Sequence, residues 1–304
     1  MGNNPSKNSK TKRQTKPSEV EPQITISINE EKKLEYYLPN SHNDIDRLHA
    51  NTFVKKEMFQ GNFSVSIEEK LNKGCKVLDV CCGPGTWLLD LAAKYKKSSF
   101  YGVDIKPIFP MEIKPPHLNF IQADVSNGIP FPDNEFDFVN QETMLFIWRI
   151  DQWDFILSEL VRVTRPGGYI QICEKNFSVY KDMGPVLYNI LENGHYASAL
   201  KRNVDMKITP RLKGKLESQL NITTVHEDEK SVVIGPNGGK IGIAMQGIYL
   251  CYMSTDATVE TMSSLLGMTK KEYKHYLHND LLKELKVTYP KHIVNRYWAQ
   301  KNEN

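Results

Sequence analysis

VLDVCCGPGTW, residues 77–87, is the stretch on which the fold of this chain turns. It begins inside KVLDVC (76–81), an apolar run of buried-strand length, and passes Asp79 near the strand end. It then bends through Gly83-Pro84-Gly85 into a segment where Trp87 or Leu88, then Leu91, Ala92 and Tyr95, recur at i, i+3, i+4 and i+7. That spacing marks one apolar face of a helix. Glycine suits such a turn because the chain reverses tightly and a ligand can approach the backbone with no Cβ in the way.

Downstream the alternation repeats. SFYGVDI (99–105), LNFIQAD (118–124) and FDFVNQ (136–141) read as three further strands. Trp153, Ile156, Leu157, Leu160 and Val161 mark an amphipathic helix, which gives way to an RPGG turn (165–168) and a strand YIQICE (169–174). Strands alternating with helices predict a doubly wound α/β fold, a mostly parallel sheet with helices on both faces. Beyond Glu174 the pattern loosens into short helices over 180–220, one or two strands over 222–234, and mainly helix over 239–286. Thr269 with Glu272 forms a capping-box signature, and HIVNRYWAQ (292–300) reads as a final strand. Upstream, a helix is predicted over 41–60, with Ser41 as its N-cap and Asp44 in its first turn.

At 304 residues, 40% hydrophobic and 25% charged, the chain can build a sizeable core as one large α/β domain with an inserted helical part. No apolar run is long enough to span a bilayer, and no secretory signal is expected. The net charge of +3 is unevenly placed. Lys7, Lys10, Lys12, Arg13 and Lys16 carry it in a stretch without acids, which leaves residues 17–304 at about −2. A near-neutral body gives no electrostatic footprint for nucleic acid, so none is expected as a partner. Cysteines 75, 81, 82, 173 and 251 show neither CxxC pairs nor metal-ligand spacing. They read as reduced thiols in a cytoplasmic protein, with no metal site expected.

Three acids fall at successive strand ends: Asp79, Asp104 and Asp124. Asp104 lies nineteen positions after Gly85, where a carboxylate can accept hydrogen bonds from both ribose hydroxyls of an adenosine. Asp124 is placed to meet the exocyclic amine of adenine. Asp79, just before the loop, suits the ammonium of an amino-acid-bearing cofactor, S-adenosylmethionine (SAM). Thr86 and Trp87 after the loop, Ile105 and Val125 after the later acids, and Gln141 at the end of the fourth strand join the candidate contacts. A nicotinamide dehydrogenase is the rival, but the third glycine of its GxGxxG fingerprint would fall at position 88, which is Leu88.

VLDVCCGPGTW, GVDI, FPDNEFDFV and RPGGYIQICE resemble the sequential motifs of class I SAM-dependent methyltransferases over residues 74–175. More loosely, YYLPN (36–40), IDRLH (45–49), the VDIKPIFP…PP run (103–116) and the last strand resemble a fungal subfamily that includes regulator-type methyltransferases of secondary metabolism. The resemblance implies a seven-stranded sheet whose last strand is antiparallel, with helices from both chain ends closing over the site. The family usually has glycine where this chain has Cys81, and a Cβ there would lie near the cofactor's methionine part.

Three functional readings result. The first is a SAM-dependent methyltransferase acting on a small molecule or a protein side chain. The second is a catalytically silent SAM-binding regulatory protein, and the third is the dehydrogenase. Asn140-Gln141-Glu142-Thr143 lacks the (D/N)PPY of enzymes that methylate adenine amines, and no Pro-Cys pair offers an RNA cytosine nucleophile. Glu142, Glu174 and His226 are candidate bases, none of them distinguished by the sequence from a surface or loop-capping residue. The boundaries expected are a disordered basic tail (1–22), cap helices (23–73), a SAM-binding core (74–175), and a helical insert with the final strands of the same domain (176–301). Met1-Gly2-Asn3-Asn4-Pro5-Ser6 fits the N-myristoylation pattern at Gly2, and the basic residues behind it would reinforce peripheral membrane contact.

Overall fold

The computed structural model describes residues 1–2, 42–179 and 181–303. The chain divides into two units, Met1–Tyr37 and Leu38–Asn304. Only Met1 and Gly2 of the first are described, so the basic tail, the rest of the myristoylation pattern, YYLPN and Ser41 lie outside the described residues.

The second unit begins with α1 (His42–Phe59) and the short α2 (Glu68–Lys73). The strand–helix alternation follows: β1 (Lys76–Val80), α3 (Thr86–Lys94), β2 (Ser99–Asp104), β3 (Leu118–Gln122), β4 (Phe136–Glu142), α4 (Trp153–Val163) and β5 (Thr164–Lys175). Next comes a helical stretch of α5 (Pro185–Tyr188), a π-helical segment (Asn189–Tyr196), α6 (Ala197–Lys201) and α7 (Thr209–Glu217). β6 (His226–Val233) then leads to α8 (Gly239–Met253), α9 (Asp256–Leu265), α10 (Lys270–His275), a second π segment (Tyr276–Leu281), α11 (Leu282–Glu284) and β7 (Lys291–Gln300).

The seven strands form one sheet in the order β3-β2-β1-β4-β5-β7-β6. Strands β1 to β5 pair in parallel, while β7 runs antiparallel to both β5 and β6. Strand order reverses direction at β1, which places the cofactor-type loop after β1 at the crevice where such sheets bind ligands.

Both sheet faces are covered because both carry apolar side chains. Val77, Phe100 and Phe138 pack with Leu71 of α2 and with Leu88 and Leu91 of α3. On the other face, Leu78, Val139 and Ile170 meet Ile156, Leu157 and Leu160 of α4. Each such aliphatic side chain contributes about 1.5–3 kcal/mol on full burial.

Two details differ from the sequence reading. No helix bridges β2 and β3, and only a 3-10 turn (Val125–Asn127) lies between β3 and β4. The RPGG turn is absorbed into β5, which already starts at Thr164. The chain accommodates it with Gly167 at φ 71° and a register shift against β4 between Phe136 and Phe138. As expected of the 222–234 region, it holds a strand, β6, together with an isolated bridge from Ile222 to Lys301. The capping box is fully made, with Thr269 N–H donating to Glu272 and Glu272 N–H donating to the Thr269 hydroxyl.

Candidate functional site

The loop after β1 is built from left-handed residues. Cys81 (φ 61°), Gly83 (φ 54°) and Gly85 (φ 74°) all lie there. The two glycines serve different ends. A Cβ on Gly85 would fall 2.4 Å from the Phe120 ring, so that glycine lets β3 pack against the start of α3. A Cβ on Gly83 would meet no atom within 4 Å, so Gly83 borders open space on the side where a cofactor is expected. Cys81 holds a conformation that favours glycine, at a cost on the order of 1 kcal/mol.

The carboxylates gather around this loop. Asp104 accepts hydrogen bonds from the backbone N–H of Gly83 (2.8 Å) and of Lys106 (2.9 Å), one to each oxygen. Burial pushes its pKa up, against the pull of those donors. Ionised, it keeps lone pairs beyond the two already used. Asp124 caps the following 3-10 turn by accepting from Ser126 N–H at 2.9 Å through one oxygen. The Cys81 thiol is driven well above its ordinary pKa, first by burial and then by Asp104, Asp79, Asp124 and Glu174. Those four acids therefore share one neighbourhood.

Asp79 is held by a chain of buried amides. Asn140 Nδ2 donates to Asp79 Oδ1 at 2.9 Å, Gln171 Nε2 donates to Asn140 Oδ1 at 3.0 Å, and Gln171 Oε1 accepts from Ser64 N–H at 2.9 Å. Strand register makes this possible, since Asp79, Asn140 and Gln171 are paired neighbours across β1, β4 and β5. Burial raises the Asp79 pKa well above the carboxylate range, and Glu142 raises it further. A buried acid so short of positive charge favours a cationic ligand.

The remaining sequence candidates separate. Thr86 stays beside the loop, its hydroxyl 2.6 Å from Nδ1 of His49 on α1. Trp87 packs into the core edge-on to Phe138, its indole N–H donating to the Asn62 carbonyl. Val125 is core, and Ile105 is half-buried with its carbonyl accepting from Gln122. Gln141 is completely buried with neither amide atom hydrogen-bonded within the described residues, which leaves it polar capacity for a ligand.

None of the candidate bases stands free. Glu142 forms a buried ion pair with Lys55, which also donates to Thr143 Oγ1 at 3.0 Å. Glu174 spends both oxygens on the backbone N–H groups of Met144 (2.7 Å) and Leu145 (3.1 Å), fixing the loop after β4. Burial pushes its pKa up to about 8, while those donors pull the other way. His226 lies exposed on β6, stacked on Trp298 at the sheet edge.

The sequence reading had a helix at this end closing over the site but named none of the contacts through which α1 does so. His49 reaches the start of α3, Lys55 reaches the end of β4, and Lys56 pairs with Asp90 at 2.6 Å. No local pattern announces these contacts, which join residues 34 to 87 positions apart.

Sheet order, the glycine turn at the switch point and the acids on neighbouring strand ends define an α/β nucleoside-binding fold of the class I methyltransferase type. Residues 77–168 match the family described as a methyltransferase domain. An N-methyltransferase, verN, of Clonostachys rogersoniana is 26% identical over 190 residues, which cover 59% of this chain and 65% of that protein. The secondary metabolism regulator laeA of Coprinopsis cinerea is 29% identical over 49% of this chain and 38% of its own length. A demethylmenaquinone methyltransferase of Geobacillus stearothermophilus reaches 36% identity over 34% of this chain and 46% of that enzyme. The chain thus spans between about two fifths and two thirds of these relatives' lengths. Among solved structures, a protein described as a methyltransferase of an antibiotic biosynthesis pathway in Anabaena variabilis shares the fold. Its TM-score is 0.51 at 11% identity, covering 80% of this chain and 95% of that one. The dehydrogenase reading falls with these matches, and Leu88 is a fully buried core residue of α3.

Proposed function

We propose that the whole chain is an active SAM-dependent methyltransferase whose acceptor is a small molecule or a protein side chain. The observation that carries this is the loop of residues 81–85, open beside Gly83 and ringed by Asp79, Asp104 and Asp124. The residues fit the cofactor. Asp79 is a buried acid in want of a cation and suits its ammonium, Asp104 suits its ribose hydroxyls, and Asp124 keeps one oxygen for its adenine amine. When bound, SAM supplies a sulfonium methyl that passes to a nucleophile by direct displacement, helped by alignment and exclusion of water. The protein's share is to align and to enclose, and α1 is tied across the strand ends where that is needed.

Asp104→Asn tests the reading more cleanly than alanine would, because the amide oxygen still accepts one of the two backbone N–H groups. It should weaken SAM binding by about 10- to 100-fold, the loss of one hydrogen bond to a charged group at roughly 1.5–3 kcal/mol. Calorimetry is the measurement, and wild-type affinity in the folded variant would sink the assignment. The left-handed Cys81 favours the second reading, a silent SAM-binding protein. Methyl-labelled SAM incubated with cell extract and the protein separates the two, since only a turning-over enzyme labels an acceptor.

A further inference from the structure

Lys175 closes β5 on the face of the sheet that carries Gln171 and Cys173, hence also Asn140 and Asp79 through strand pairing. Its Nζ lies 3.7 Å from the centre of the Phe177 ring and 3.9 Å from that of Tyr249 on α8. Within the described residues no ion pair or hydrogen bond reaches that nitrogen, and burial lowers its pKa well below the lysine range. The residue keeps partial exposure, so it can be approached.

Around it stand groups that carry no free negative charge. From β7 comes His292, its Nδ1 3.2 Å from the Tyr249 hydroxyl. From the first π segment comes His195, 4% exposed and with no hydrogen-bond partner for Nε2. Burial lowers the pKa of both histidines, which holds them neutral. On α1, Lys55 is taken by Glu142 and Arg47 by Asp44. Glu174, next in sequence, is committed to the backbone of the loop after β4. Phe146 of that loop meets Phe177 edge-on with ring centres 5.5 Å apart, which extends the aromatic wall.

We propose that Lys175 is the catalytic base of this methyltransferase, and that its acceptor is a planar molecule with an acidic hydroxyl, a phenol or an enol, seated against the Phe177 and Tyr249 rings. This rests on the methyltransferase reading and narrows its acceptor. The acceptor's proton passes to the lone pair of Nζ, and the oxygen left behind forms its bond to the methyl group as the sulfur–methyl bond breaks. Lys175 leaves the step as an ammonium, which the two ring faces stabilise, and returns its proton to solvent. An ammonium-type acceptor would want a free carboxylate here, and each acid facing the spot is already engaged. His195 Nε2, buried and unpartnered, is left to hydrogen-bond the acceptor.

The test uses 4-nitrophenol, whose anion absorbs in the visible. Calorimetry first establishes binding of S-adenosylhomocysteine to the full chain; if none binds, the methyltransferase reading fails and the proposal with it. The probe is then added to the loaded protein at a pH below its own pKa. Wild type should develop the phenolate band. Lys175→Met and Lys175→Gln should lose it while binding S-adenosylhomocysteine as wild type does. Methionine removes the buried amine and keeps the side chain's length, and the glutamine variant guards against a packing defect in the first. With a phenolic acceptor that turns over, kcat at neutral pH should drop on the order of 100-fold or more. Product loaded but no phenolate band in wild type, or a band that persists in both variants, overturns the proposal and leaves the methyltransferase reading standing.

Discussion

Cys81 shows how much one residue's backbone can say. Its position was legible in the sequence as the place where the family usually has glycine, but its conformation was not. The structure supplies the reason for glycine, φ of 61° at the first left-handed step of the loop. Cysteine there sets a strain on the order of 1 kcal/mol against glycine's larger loss of chain entropy, about 0.4–1 kcal/mol, and the two nearly cancel. Cys81→Gly should therefore leave the melting temperature within a few degrees of wild type. It should also keep or tighten SAM binding, because it clears a thiol from the neighbourhood of four carboxylates. Calorimetry on the folded variant checks this, and loss of binding would mean the loop has been assigned the wrong partner.

Among the elements, α1 is the one whose meaning lay furthest from its own sequence. Its helical period was readable, yet what it covers depends on Glu142 and Thr86, far along the chain. Burial works against charge on Lys55, but Glu142 holds its pKa above the usual lysine value. Removing one partner of such a buried pair leaves the other charge uncompensated, at roughly 3–5 kcal/mol. Lys55→Met should thus destabilise the fold by about 3 kcal/mol in urea titrations, while Lys55→Met with Glu142→Gln should recover a large part of it. Equal losses in the single and double variants would show that Lys55 acts through packing and not through Glu142. A loosened α1 should also weaken SAM binding, since His49 carries the same helix to the first residue of α3.

Seen as a whole molecule, the chain divides by how local its information is. The sheet from β1 to β5 and the acids Asp79 and Asp104 could be read directly, because an apolar strand, a glycine turn and a helix stripe are all short-range patterns. The wall around Lys175 could not, since it draws on β5, β7, α8 and the first π segment, and only folding brings Tyr249, His195 and His292 to one place. That assembly leaves a mark on stability. His195 has its pKa lowered to about 3, above all by burial, whereas in the unfolded chain it titrates near 6.5. Between those values the unfolded state binds the extra proton, so this group's contribution is fully present above about pH 6.5 and is lost as pH falls toward 3. At about 1.4 kcal/mol per pH unit, acidifying from 7 to 4.5 should cost roughly 2–3 kcal/mol through His195 alone. His195→Phe keeps a ring beside Tyr252, whose centre lies 5.3 Å from the imidazole, and removes the titration. Urea unfolding of both proteins at pH 7 and pH 4.5 isolates the effect, because the other titrating groups cancel between them. Wild type should lose about 2–3 kcal/mol more than the variant over that interval, and an identical loss in the two would mean that His195 takes up its proton without leaving the fold.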